Sequence, residues 1–281
     1  MKQDRTRALS YRIGTSLAAA AGGLLTWLVW ELAMEAGFLF SPYLSIAWMA
    51  MVTGLFLRTY VAPARWNARG RARSRVRLPA RRAWTWIAAT APAMALLPVA
   101  LGTALMALGL AHEIEYGERM EKWLAQPGGP LAFWVLAVAV APLLEEFGFR
   151  GWIQRPIERR LGAQAAIAMS ATLFALAHFR PDFLPVYLAA GLVLGHAVQA
   201  TRSVWTGVAL HLAWNGGTLA LGAAFPDVDP AGKGWAWAAP AAGVALLCLV
   251  WCAWGVRRMQ DAAWAGAQAR GAARGRPVES A

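Results

Sequence analysis

The chain has 281 residues, of which 58% are hydrophobic and 15% charged, with a formal net charge of +12. A soluble domain averages about 25% charged and about 45–50% apolar residues, so a soluble enzyme, a disordered chain and a secreted disulfide scaffold are excluded and an integral membrane protein is indicated. The positive charge does not read as a nucleic-acid surface, because the arginines stand between long apolar runs.

A membrane-crossing helix needs about 20 mostly apolar residues, and the sequence offers candidates in chain order. The first, 13–34, follows the basic stretch Met1–Arg12. That pairing resembles a signal peptide, but the many apolar runs after it predict a retained helix. The run 37–57 comes next, then 83–111, which carries no charge and has Pro92 and Pro98 as candidate kinks. The run 131–150 is followed by two short ones, 163–179 and 183–201, joined by Arg180-Pro181-Asp182. The last two are 203–224 and 235–256. Cys248 and Cys252 sit four residues apart in the last run, poorly placed for a disulfide and suited to small buried side chains. The expected architecture is all-α: a polytopic transmembrane helical bundle of about eight membrane helices. Residues 1–260 form the membrane-embedded unit, with a motif core at 131–220, and 261–281 form a basic, disordered tail.

All but four of the 27 lysines and arginines fall on one side of these alternating spans. Arg119, Lys122, Arg180 and Lys233 are the exceptions, and they share their side with several Asp and Glu residues. The positive-inside rule then places both termini in the cytoplasm. The richness in Ala, Arg and Gly fits a bacterial inner membrane. The basic stretch 65–82 is read either as a grip on anionic lipid headgroups or as a solvated loop.

Ionisable groups inside apolar spans are costly and therefore candidates for function. In Leu143–Arg150, Glu146 and Arg150 are spaced i,i+4 and can pair on one helix face. Glu145 is turned about 100° from Glu146, so one carboxylate can be structural while the other faces a cavity. Such a carboxylate, poised to take a proton near neutrality, is what a general base requires. The competing reading is a buried ion pair that holds helices together. His178 closes Phe174-Ala175-Leu176-Ala177-His178, and Phe174 shares its face. His211 and Asn215, again i,i+4, can donate hydrogen bonds to one point and stabilise an oxyanion, or can simply bond between helices. His196 reads as packing or a cavity wall. His112 and Glu113 lack the second histidine of a zincin helix.

Glu-Glu-x-x-x-Arg, Phe-x-x-x-His and His-x-x-x-Asn, in this order on successive apolar spans, resemble the CPBP family: CAAX-type prenyl endopeptidases and bacteriocin-processing or immunity proteins. The resemblance implies an all-helical intramembrane endopeptidase. It implies that Glu145 is the general base activating water, that His178 helps to hold that water, and that His211 and Asn215 form the oxyanion hole. Glu146 and Arg150 become support. The implied substrate is a membrane-anchored or lipidated peptide, with membrane lipid as the other partner. No cofactor is expected. Family members have been labelled metalloproteases, and zinc, if used, would fall on Glu145, His178 and His211. One carboxylate, two imidazoles and an amide are an unusual zinc set. The rival readings are a non-catalytic immunity or scaffold protein on the same fold and a proton-coupled transporter.

In a plain meander, Glu145 near one end of its span and His178 near the other end of the next would not meet. Both lie about 16 residues from Leu161-Gly162, about 25 Å of helix on each arm. A helical hairpin turning there, with the fourth span continued through 151–160, brings them to one depth.

Overall fold

The computed structural model describes residues 2–61, 75–112 and 118–272. Among these residues the chain is helical and has no strand. Helix α1 is Lys2–Glu35 and α2 is Pro42–Phe56, followed by a π-helical turn, Leu57–Val61. Helix α3 is Ala83–Ala107 and keeps both prolines inside it; α4 is the short Glu118–Leu124. Helix α5 is one continuous rod, Gly129–Leu161, with two π-helical stretches, Val135–Val140 and Phe147–Gln154. Helices α6 (Ala163–Ala177), α7 (Leu184–Thr201), α8 (Val204–Ala224) and α9 (Trp235–Ala272) complete the order.

Each apolar run of the sequence is helical, and the protein is an all-α, multi-pass membrane bundle. Five helical segments are long and apolar enough to cross a membrane: Ser10–Leu39, Ala83–Ala107, Gly129–Leu161, Pro181–Thr201 and Trp235–Gln268. Helices α2 and α6 are shorter, at 15 residues each. Helix α8 has 21 residues, but Thr206, His211, Asn215 and Thr218 dilute its apolar character.

Two boundaries and the surroundings of one arginine differ from the sequence reading. Span 131–150 extends to Leu161, because Arg155, Glu158, Arg159 and Arg160 are good helix formers and Pro156 lies in the first turn after a π-helical stretch. The expected hairpin follows, turning at Gly162 with φ +88°, a conformation that suits glycine. Helix α9 runs past 260, where a disordered tail was expected: 261–272 is alanine-rich and helical, while 273–281 lie outside the described residues. In the basic stretch 65–82, residues 65–74 lie outside the described residues. Arg75 is neither solvated nor on lipid. It is buried in an ion pair with Glu158 of α5. Burial pushes its guanidinium down to about 10, against the upward pull of Glu158.

The helices gather charges at two ends. At one end, the 75–77 segment caps the turn between α7 and α8: Val204 N donates to Arg75 O at 2.9 Å, Trp205 Nε1 to Val76 O at 3.0 Å, and Ser203 Oγ to Arg77 O. At the other, Arg180 pairs with Asp182 and donates to His112 O, Trp123 Nε1 donates to Phe40 O, and Gly234 N donates to Ala107 O. The last bond and that from Trp251 Nε1 to Ala89 O set α3 antiparallel to α9.

Rod α5 occupies the centre. Helix α1 runs antiparallel to it: Gly23 lies against Trp152 and Ile153, and Trp27 lies against Gly148 and Phe149. Against α7, Arg150 Nη2 donates to Gly191 O at 3.3 Å and Gln154 Nε2 to Gly195 O at 3.1 Å. Gly195 leaves room for Gln154, and Gly191 lets α7 close on Ala171 of α6. Against α6, Ser170 Oγ donates to Phe149 O at 2.9 Å.

Candidate active site

The centre of α5 carries Glu145 and Glu146, both buried. Glu146 is fully enclosed. Its Oε1 lies 3.0 Å from Arg150 Nη1, one turn on, and accepts a hydrogen bond from His211 Nδ1 at 3.0 Å. Helix α8 admits the carboxylate because residue 207 is glycine. A Cβ there would strike Glu146 Oε2 and crowd Val198. Glu146 is thus committed to structure on two sides.

Glu145 faces another way. Its Oε2 is buried without a hydrogen-bond partner and lies 3.7 Å from His211 Nε2. The imidazole of His211 therefore sits between the two carboxylates. Its Nδ1–H is fixed on Glu146, and Nε2 is aimed at the free oxygen of Glu145. A second-atom hydrogen bond of this kind sets which ring nitrogen is available.

Phe174 of α6 joins the remaining parts. Arg150 lies over its ring at 4.6 Å, His178 packs at 4.7 Å between centroids, and His211 meets it edge-on at 5.6 Å. His178 ends α6, and its ring stacks on Tyr187 of α7 at 3.9 Å. His178 Nδ1 donates to Phe174 O at 2.8 Å, which leaves Nε2 as an acceptor. The phenylalanine noted in the sequence only for sharing a face with His178 is the common wall of three ionisable side chains.

Asn215 commits one of its donors to the backbone of α5. Its Nδ2 donates to Ala137 O at 2.6 Å, within the first π-helical stretch of α5. A π turn alters the intrahelical ladder, and such bulges recur at functional sites. The donor that reaches Ala137 is therefore not one that Asn215 can share with His211 at a single point. One amide N–H of Asn215 holds α5, and the second remains for another acceptor.

One residue was missed. Glu31 lies inside the first apolar run, and its position there was the available signal. The antiparallel pairing of residue 27 with 148–149 and of 23 with 152–153 brings residue 31 opposite 145. Glu31 is within electrostatic reach of Glu145, and its Oε2 is likewise buried without a partner. Among the described residues, no three of His, Cys, Asp and Glu are arranged to hold a metal ion. His196 stands in the wall of a cavity between α7 and α9, away from this cluster. Cys248 and Cys252 are both buried and free.

No curated protein and no solved structure matches the chain. Residues 127–217 match the family model described as type II CAAX prenyl endopeptidase Rce1-like. That span holds the double glutamate, Arg150, Phe174, both clustered histidines and Asn215. The match supports assignment of this chain to the CPBP family of CAAX-type intramembrane proteases.

Proposed function

We propose that the protein is an intramembrane endopeptidase that hydrolyses a peptide bond of membrane-anchored substrates, close to a lipidated cysteine. The observation that carries this reading is the division of labour between adjacent carboxylates. Glu146 is held by Arg150 and His211, while Glu145 Oε2 has no partner and faces His211 Nε2.

In this mechanism a water sits between Glu145 and Nε2 of His178, which accepts one of its hydrogens. Glu145 takes a proton from the water as its oxygen adds to the scissile carbonyl carbon. The carbonyl oxygen becomes an oxyanion and receives hydrogen bonds from the second amide N–H of Asn215 and from Nε2 of His211 when that ring carries both protons. Preorganised donors of this kind contribute on the order of 10²–10³ in rate each. The tetrahedral adduct collapses, the C–N bond breaks, and the proton on Glu145 passes to the leaving amine. No covalent enzyme intermediate and no metal enter the scheme. The site opens toward the cytoplasm, with both termini on that side.

The test is cleavage of membrane-anchored peptides, with and without a prenylated cysteine, by purified protein and by Glu145→Gln, each with and without chelator. The expected result is cleavage by the parent protein, insensitive to chelator and lost in Glu145→Gln. Equal cleavage by both proteins would remove Glu145 as the base. Loss on chelation would replace the metal-free scheme.

A further inference from the structure

A cavity of about 340 Å³ lies between α7 and α9, separate from the carboxylate cluster. Its polarity is graded. Along α7, Leu192 and Val193 precede His196; along α9, Leu249 precedes Arg257 and Gln260. The order is the same along both helices, which run parallel here. Gly102 of α3 lies against Phe183, just before α7 begins, and Ala107 binds Gly234, just before α9 begins. The starts of α7 and α9 are therefore at the same end of α3.

The depth of the polar end can be read from α9 itself. No charge occurs from Trp235 to Val256; then come Arg257 and Arg258. The Arg258 guanidinium lies 5.4 Å from the Trp86 ring and 5.3 Å from that of Trp254. Tryptophan beside arginine at the end of an apolar helix marks the membrane–water interface. From Leu249 to Gln260 the groove follows about 16 Å of helix, close to half of a hydrocarbon core about 30 Å thick. The described lining residues include no carboxylate, and Asp261, the next residue of α9, is not in the wall.

We propose that this groove binds one anionic phospholipid, with its phosphate on Arg257, His196 and Gln260 and one acyl chain along Leu192, Val193 and Leu249. A free anion has no use for the apolar half of the groove. A zwitterionic lipid gains less from an unpaired arginine. The inference does not depend on the proposed catalysis.

The experiment is lipid retention by the full-length protein, measured by native mass spectrometry after equal exposure to phosphatidylglycerol and phosphatidylcholine. The variants are Arg257→Ala, Arg258→Ala and Ala253→Trp, with folding checked by thermal unfolding. The parent protein should prefer phosphatidylglycerol. Arg257→Ala should lower that preference about fivefold, as expected for one cation at the headgroup level. Arg258→Ala should change it little, because Arg258 stands over Trp86 and Trp254. Ala253→Trp, which fills the apolar wall, should lower retention although every charge remains. Equal retention of both lipids, equal effects of the two arginine substitutions, or displacement of the lipid by millimolar inorganic phosphate would each overturn the proposal.

Discussion

Replacing Gly207 by alanine tests the account of the carboxylate pair most directly. By helix propensity alone, Gly→Ala within α8 should stabilise by about 1 kcal/mol. The structure reverses the sign. The new Cβ would occupy the position of Glu146 Oε2 and crowd Val198. Overpacking of this kind costs about 1–3 kcal/mol. If the carboxylate yields, its bond with His211 is lost as well, at about 1.5–3 kcal/mol for a hydrogen bond to a charged group. The net loss is about 2–5 kcal/mol, on the order of 5–15 °C in Tm for a chain of this size. Thermal unfolding in detergent, followed by tryptophan fluorescence, reads this against Gly222→Ala. That control lies in the same helix, where a Cβ meets nothing within 4 Å, and it should leave Tm unchanged or slightly raised. Adding Glu146→Asp, which shortens the carboxylate arm by one methylene, should recover part of the loss in Gly207→Ala; the excess over additivity measures the contact. A Tm for Gly207→Ala equal to or above that of the parent would refute the reasoning.

Further outcomes follow from the same geometry. Arg150→Met leaves Glu146 buried without its ion-pair partner and should destabilise by about 3–5 kcal/mol; a fall in Tm below about 3 °C would mean that His211 alone can hold Glu146. Asn215→Ala strands the Ala137 carbonyl in the first π-helical stretch and should cost about 1–3 kcal/mol of stability in addition to any loss of cleavage, so an unchanged unfolding temperature would contradict the bond to α5. Gly22→Ala and Gly23→Ala, neighbours on α1, should diverge in a thermal scan: Gly22 has nothing within 4 Å, whereas a Cβ at Gly23 meets Ile153 and Trp152. Arg75→Met should destabilise less in combination with Glu158→Gln than alone, because the single change leaves a nearly buried carboxylate with Arg155 as its remaining ion-pair partner; additive effects in a double-mutant cycle would count against the pair.

Much of the bundle is legible in the sequence because a bilayer demands long apolar helices and punishes every buried charge. The runs and the i,i+4 spacing of Glu146 with Arg150 could be found from periodicity alone. The end of α5 at Leu161 and the turn at Gly162 could not: they followed only from requiring Glu145 and His178 to meet, as the resemblance implies. Residues 151–161 are not apolar enough to read as a span, and they stay helical through local propensity and through Glu158 pairing with Arg75. The burial of Arg75 depends on a partner 83 positions away, which no window of sequence displays. Spacing places His211 and Asn215 on one face, but it does not show that Ala137 in a π turn would claim the asparagine. Glu31 is visible in the first run, yet its meaning comes only from the register between α1 and α5.

The seams around α5 are unlike in what it takes to open them. Toward α7 the rod is laced by Arg150 on Gly191 and Gln154 on Gly195, toward α6 by Ser170 on Phe149, and toward α8 by His211 on Glu146 and Asn215 on Ala137. Parting any of these would expose polar groups to hydrocarbon, where each stranded donor or acceptor costs several kcal/mol. The contacts described between α1 and α5 are of another kind: Trp27 against Phe149 and Gly148, and Gly23 against Ile153 and Trp152. Lipid chains can replace such contacts at little cost. The seam beside α1 is therefore held chiefly by apolar packing, and what would resist its opening is the exposure of Glu31 and Glu145, whose Oε2 atoms are buried there without partners.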